Sequence, residues 1–155
     1  MAAVGMHCLL EIYGCPAEKL DDPAFVREAL REAATYAGAT WLGGCDHHFK
    51  PCGVTAVGML AESHISLHSW PEIGYAAIDV FTCGDVAMPE KACEKLIELF
   101  EAERHTLTRI PRATELLARE VRGVDVREAH MSERAAISHE VLRGKPAEMA
   151  QSVGD

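Results

Sequence analysis

A chain of 155 residues, 48% of them hydrophobic, is long enough for one ordinary core and short for two, which excludes a disordered chain and points to a single domain. The formal net charge of -9, without any basic run to neutralise phosphates, argues against nucleic acid as a partner and is compatible with a cationic ligand. There is no basic-then-apolar leader and no apolar run near the roughly 20 residues of a membrane span. With six cysteines (Cys8, Cys15, Cys45, Cys52, Cys83, Cys93) scattered through apolar segments, the expectation is a cytoplasmic protein with reduced thiols and no membrane contact.

"GMHCLLEIYGC" (5–15) is rich in strand-favouring residues and runs into Pro16, so it reads as a first strand. In "LDDPAFVREALREAATYAGAT", Asp22 is the expected N-cap and Pro23 the first helical residue. Phe25, Ala29, Ala33 and Ala37 recur at i+4 steps beside Val26 and Leu30, and Gly38 can end the helix in a left-handed turn. "ATWLGGCDHHF" (39–49) reads as a second strand whose Gly43-Gly44 pair marks a bulge. Pro51-Cys52-Gly53 supplies a turn, "VTAVGMLAE" (54–62) a third strand, and the alternating residues 64–70 a fourth. After the break at 71–74, "YAAIDVFTCG" (75–84) reads as another strand. Pro89 opens a second helix, "PEKACEKLIELFEAERH" (89–105), with Ala92, Leu96 and Phe100 beside Cys93, Ile97 and Leu99 as its buried stripe. A short strand follows at 105–110, and from Gly123 onward the chain is polar without a core pattern. Strands joined by short turns, with two main helices, predict an α+β two-layer sandwich: an antiparallel sheet, both helices on one face, the other face left for a partner or substrate. The expected organisation is a domain over 1–110 and a polar extension over 111–155.

"LAESHISLHSW" (60–70) carries Glu62, Ser63, His64, Ser66, His68 and Ser69, a crowd of reactive groups on one strand. A half-buried strand with one wet face is the plain explanation. A hydrolase with Ser63 as nucleophile and His64 or His68 as base lacks the G-x-S-x-G elbow, since Ala61 and Ile65 stand at the glycine positions. A metal site built from His47, His48, Cys45 and Cys52 is disfavoured, because adjacent strand residues point to opposite faces and a zinc site needs about four convergent ligands. A further chemistry is self-cleavage. The Ser63 hydroxyl can attack the Glu62 carbonyl and turn the amide into an ester; β-elimination then cuts the chain and leaves a dehydroalanine that hydrolyses to a pyruvoyl group. That sequence needs a strained bond, an oxyanion stabiliser and a base, for which His68, Thr55 and Ser66 are candidates.

"ESHISLHSWPEIGYAAIDVFTCG" (62–84) resembles the processing and active-site region of prokaryotic S-adenosylmethionine decarboxylase proenzymes, with supporting similarity in "GMHCLLEIYGC" and "HHFKPCGVTAV". The resemblance covers about residues 5 to 105. It implies cleavage between Glu62 and Ser63, with Ser63 becoming a covalent pyruvoyl cofactor and no metal required. His68 would assist processing by proton transfer and Cys83 would be the proton donor in catalysis. Thr55, where many relatives carry serine, would support processing. Phe49 and Trp70 would line the pocket for S-adenosylmethionine, Phe49 facing the sulfonium charge; Glu72 would accept hydrogen bonds from ribose hydroxyls, and Glu11 would sit at the site edge. The substrate amine would condense with the ketone to a Schiff base, and the adjoining amide carbonyl would act as electron sink. The product is the aminopropyl donor of spermidine synthesis. The family also implies a homodimer of processed protomers with active sites between them, so that Phe49 and Glu72 can serve the partner.

Two other functions compete. A same-scaffold decarboxylase of ornithine or arginine would keep Ser63, His68 and Cys83 but alter the nucleoside pocket. An unprocessed, non-catalytic subunit would not be cut at all. Two departures from the family pattern stand out: Ala61 occupies a place where relatives often have a small hydroxyl residue, and "GVTAVGML" is looser than the usual valine-rich strand.

Overall fold

The structure, a computed structural model, describes residues 4–84, 87–113 and 138–140. Apart from residues 111–113 and 138–140, the extension expected over 111–155 lies outside the described residues. In chain order the elements are β1 (Gly5–Tyr13), α1 (Ala17–Leu20), α2 (Pro23–Tyr36), β2 (Trp41–His48), β3 (Val54–Leu60), β4 (Ser63–Trp70), a 3₁₀ turn (Pro71–Ile73), β5 (Tyr75–Cys83), α3 (Pro89–Leu99), β6 (Arg104–Arg112) and β7 (Ser138–Glu140). The strands form one antiparallel sheet in the order β2-β3-β4-β5-β1-β6-β7. Tight connections make β2 to β5 a meander, while β1 enters between β5 and β6 as the long-range pairing that closes the sheet.

Period-two alternation decides the two faces. Leu10 and Ile12 of β1, Val54 and Ala56 of β3, Ile65 and Leu67 of β4, and Ile78 and Val80 of β5 are all buried against the helices. The intervening residues, among them Leu9, Thr55, Val57, Met59, His64, Ser66, His68 and Asp79, occupy the other face, where no helix lies among the described residues; Val57 and Met59 are exposed there. The Asp22 side chain accepts from the N–H groups of Ala24 and Phe25, so the expected cap forms, a contact typically worth about 1 kcal/mol. Small residues let α2 lie close to the sheet: Ala29, Ala33 and Ala34 are buried beside Val26 and Leu30. Phe25 meets the fully buried Phe100 edge-on at 5.4 Å between ring centroids.

The glycines that loosen β2 and β3 have a packing reason. An added Cβ at Gly58 would lie 2.2 Å from the Trp41 indole, and one at Gly44 would lie 2.7 Å from it. The pair forms a flat seat for that ring, and the expected bulge is present as a register shift between Trp41 and Gly43.

The second helix is shorter than its apolar pattern suggests. It ends at Leu99 rather than continuing to His105, because Glu101 adopts a left-handed φ of 50° and the Ala102 N–H returns to the Ile97 carbonyl. Glu103 then donates to Tyr13, which starts β6 at once, so the charged run "EAERH" is turn and strand instead of helix.

Candidate active site

The β3–β4 hairpin turns on only two residues, Ala61 and Glu62, because Leu60 is paired with Ser63. Thr40, just before β2, pins both turn residues. Ala61 donates to the Thr40 carbonyl at 2.9 Å, and the Thr40 N–H donates to the Glu62 carboxylate at 2.9 Å. The N–H of Thr40 holds the Glu62 carboxyl below the usual carboxylate range. No sequence signal marked Thr40; its role exists only because the chain before β2 runs beside this turn.

Ser63 follows with a φ of 153°, a region that residues bearing a Cβ rarely occupy. Its Oγ lies 3.2 Å from Nδ1 of His64. The carbonyl of the Glu62–Ser63 peptide accepts the backbone N–H of Cys83 at 3.0 Å. One end of β4 therefore combines a hydroxyl, a strained backbone, an imidazole and a donor on the carbonyl that this hydroxyl would attack.

The opposite end of β4 holds a different set. Thr55 and His68 are paired across β3 and β4, and Thr55 Oγ1 lies 2.9 Å from His68 Nδ1. They open into a cleft of about 430 Å³ bounded also by Phe49, Cys52, Trp70 and Glu72. Phe49 is 48% and Trp70 40% exposed, so both rings offer a face to whatever enters the cleft. The ring of His47 meets Phe49 edge-on at 4.6 Å, whereas His48 turns to the helix side and reaches Asp21 at 2.8 Å, so the adjacent histidines diverge. Asp21 also accepts from the Gly53 N–H, which secures the loop carrying Phe49 and Cys52. The Cys52 thiol donates to the Glu72 carboxylate at 3.4 Å, and burial together with that carboxylate pushes the thiol pKa up.

Several residues of the crowded stretch are explained by this arrangement. Ser69 is structural: buried, it donates to the Leu20 carbonyl and accepts from the Val54 N–H. Ser66 sits mid-strand opposite Val57 and Asp79, at neither end. Glu11 accepts from the Tyr75 hydroxyl, whose ring stacks between Trp70 and Tyr13 at 5.2 Å from each. Burial and the Glu11 carboxylate push the Tyr75 hydroxyl far above its ordinary pKa, keeping it a donor.

Ser63 and His68 are five residues apart on an extended strand, roughly 17 Å at about 3.4 Å per residue. Within one chain the structure thus brings Glu62, Ser63 and Cys83 together and, separately, Phe49, Thr55, His68, Trp70 and Glu72. It does not bring His68 or Thr55 to the bond they were expected to serve.

Residues 6–113 match the family model for S-adenosylmethionine decarboxylase. The chain belongs to the S-adenosylmethionine decarboxylase family. Among relatives in this family, the S-adenosylmethionine decarboxylase proenzyme of Synechococcus sp. (strain WH7803) is 56% identical over 111 residues, covering 72% of this chain and 87% of that one. The proenzyme of the same name from Moorella thermoacetica is 47% identical over 112 residues, covering 72% and 90%. The crystal structure of the adenosylmethionine decarboxylase from Aquifex aeolicus is similar with a TM-score of 0.68 at 38% identity, covering 72% of this chain and 92% of that one. The two-layer α+β sandwich expected from the sequence is the architecture of this family.

Proposed function

We propose that this protein decarboxylates S-adenosylmethionine, supplying the aminopropyl donor for spermidine synthesis, after cutting its own chain between Glu62 and Ser63 to make a pyruvoyl group from Ser63. The observation that carries this reading is the Cys83 N–H on the Glu62 carbonyl beside a strained Ser63. A donor already aimed at that oxygen stabilises the oxyanion formed when the serine hydroxyl attacks. The strain at Ser63 raises the energy of the intact chain relative to the ester. His64 Nδ1 is within reach of the hydroxyl proton. These residues suit a pyruvoyl group at position 63, since the hydroxyl, the imidazole and the N–H on the Glu62 carbonyl meet at one end of β4.

When present, the pyruvoyl group supplies a ketone for the substrate amine and an electron sink for decarboxylation. The remaining work falls to side chains. Phe49 and Trp70 offer aromatic faces to the nucleoside and the sulfonium charge, an attraction worth about 0.5–2 kcal/mol according to how dry the contact is. Glu72 accepts from the ribose hydroxyls, taking over from the Cys52 thiol as its donor. Cys83, on the strand beside the cut, returns a proton to the substrate carbon. Cleft aromatics and a carboxylate suit a nucleoside better than ornithine or arginine, whose flexible amines need no ring faces.

The two halves of this site meet, in our reading, across a homodimer. The helix-free face of one sheet lies against that of a second copy and carries Thr55, His68 and the cleft of one protomer to Ser63 and Cys83 of its partner. Thr55 keeps the Nδ1 side of His68 occupied, leaving its other nitrogen to move the Ser63 α-proton during elimination. The decarboxylase domain covers residues 1–110, and 111–155 form a polar extension that meets the sheet at Ser138–Glu140. Free cysteines accord with a cytoplasmic setting. Among the described residues, no helix is long and apolar enough to cross a membrane.

Intact mass under denaturing conditions tests the reading. Two fragments, 1–62 and 63–155, with a ketone in place of the terminal serine of the larger one, are expected, together with carbon dioxide release from S-adenosylmethionine. A single uncut chain after prolonged incubation would move the non-catalytic reading to the front.

A further inference from the structure

Among the described residues, one buried side-chain polar atom has no hydrogen-bond partner: the hydroxyl oxygen of Thr82, a residue only 2% exposed. A buried hydroxyl without a partner is disfavoured, and a valine of the same shape would avoid the cost. Its place in the sheet is informative. Thr82 is the direct cross-strand neighbour of Ser63. The next pair, Glu62 and Cys83, is joined by the bond from the Cys83 N–H to the Glu62 carbonyl, so Ser63 and Thr82 form the non-bonded type of pair, in which opposed side chains approach most closely.

By strand alternation Ser63 belongs to the face of Ile65 and Leu67, which is also the face of Thr82. In the uncut chain its φ of 153° breaks that alternation and its Oγ is engaged with His64. Conversion of the amide to an ester would release the backbone constraint at this bond, and an ordinary strand conformation would then turn Oγ toward Thr82.

We propose, resting on the self-cleavage reading above, that Thr82 is a catalytic residue of chain cleavage whose hydroxyl donates to Ser63 Oγ in the elimination step. In that step a base takes the Ser63 α-proton, the Cα–Cβ double bond forms, and the Cβ–Oγ bond breaks with its electron pair on Oγ. That oxygen departs as part of the new Glu62 carboxylate. Water then hydrolyses the dehydroalanine, through its imine, to the ketone with release of ammonia, so no oxidant or reductant is needed. Thr82 meets the negative charge growing on Oγ. Its partner exists only after the resting state has been left, the pattern that lowers a barrier rather than stabilising the starting chain.

The test compares Thr82→Val and Thr82→Ser with the natural chain, following cleavage by mass, melting temperature, and sensitivity of the uncut chain to neutral hydroxylamine, which attacks esters and spares amides. The expected result is that Thr82→Val cuts at least about ten-fold more slowly, accumulates hydroxylamine-sensitive ester between residues 62 and 63, and melts no lower than the natural protein. Thr82→Ser restores the rate. Cleavage of Thr82→Val at the natural rate, slow cleavage without ester, or failure of Thr82→Ser to restore it would each overturn the role. If the natural chain itself is never cut, the self-cleavage reading fails and this inference fails with it.

Discussion

The two ends of β4 carry opposite kinds of apparatus. At Ser63 the backbone sets the geometry: a tight turn, a left-handed φ, and the Cys83 N–H on the Glu62 carbonyl, the bond proposed to be cut. At His68 the side chains do it: a hydroxyl–imidazole pair, two exposed aromatic rings and a carboxylate around a cleft. In the proposed function the first end supplies the bond to be cut and, in Cys83, the proton donor of each turnover, while the second supplies the ligand cleft and, in His68, the base of the single elimination. A single strand places them too far apart to act on each other within one protomer, which makes a second copy part of the proposed site.

The largest expected effect attacks the first end alone. Ser63→Ala removes the nucleophile, so the chain stays uncut and decarboxylation is lost; denaturing mass and carbon dioxide release report both. Nearly as large, and more discriminating, is His68→Ala. Alone it should stop at or before the ester, yet mixed during refolding with Ser63→Ala it should recover cleavage, because the partner supplies an intact His68. If the mixture stays as uncut as the separate variants, the two ends do not meet across a dimer.

A moderate effect is expected from the cleft. Glu72→Gln and Phe49→Ala should leave chain cleavage intact and raise KM for S-adenosylmethionine about ten-fold, the scale of one hydrogen bond to a charged group or one desolvated cation–π contact. Slowed cleavage in either variant would tie the cleft to processing as well as to substrate.

The smallest effect concerns acid. Asp21 holds the cleft loop through the Gly53 N–H and the His48 imidazole, in that order of influence, and both keep its carboxyl below the usual value of 3.8. A carboxyl depressed by folding contributes stability that is complete above the ordinary value and is lost as pH falls through the depressed one. Asp21→Ala should therefore melt slightly lower than the natural protein above that range, and the difference should close as pH falls through it. Because Asp21 is partly exposed, the change is small.

Much of this was legible in the chain itself. Asp22-Pro23 marked the start of α2 because capping chemistry is local; alternation marked the strand over 64–70, and a run nearly apolar on both sides except at Asp79 and its end marked the one over 75–84. The end of α3 was not legible: Leu99 and Phe100 continue a plausible helical stripe, and the left-handed turn at Glu101, followed by the pairing of Glu103 with Tyr13, ends it. At the site, the residue types around Ser63 and His68 allowed self-cleavage beside other chemistries, and the resemblance of 62–84 to the decarboxylase proenzymes singled it out. Neither the clamp from Thr40 nor the unpartnered hydroxyl of Thr82 had any local signature, since both depend on which strands lie side by side.

The amino-acid sequence by itself determined most of the strands, the start of both main helices, the apolar faces and the chemical inventory of β4, because caps, alternation and functional groups are properties of neighbours along the chain. Only the tertiary structure decided that β1 enters between β5 and β6, that the Cys83 N–H meets the Glu62 carbonyl, and that Ser63 and His68 stand apart. Those facts are set by pairings between residues distant in sequence, where sheet register, and no local preference, chooses the partner.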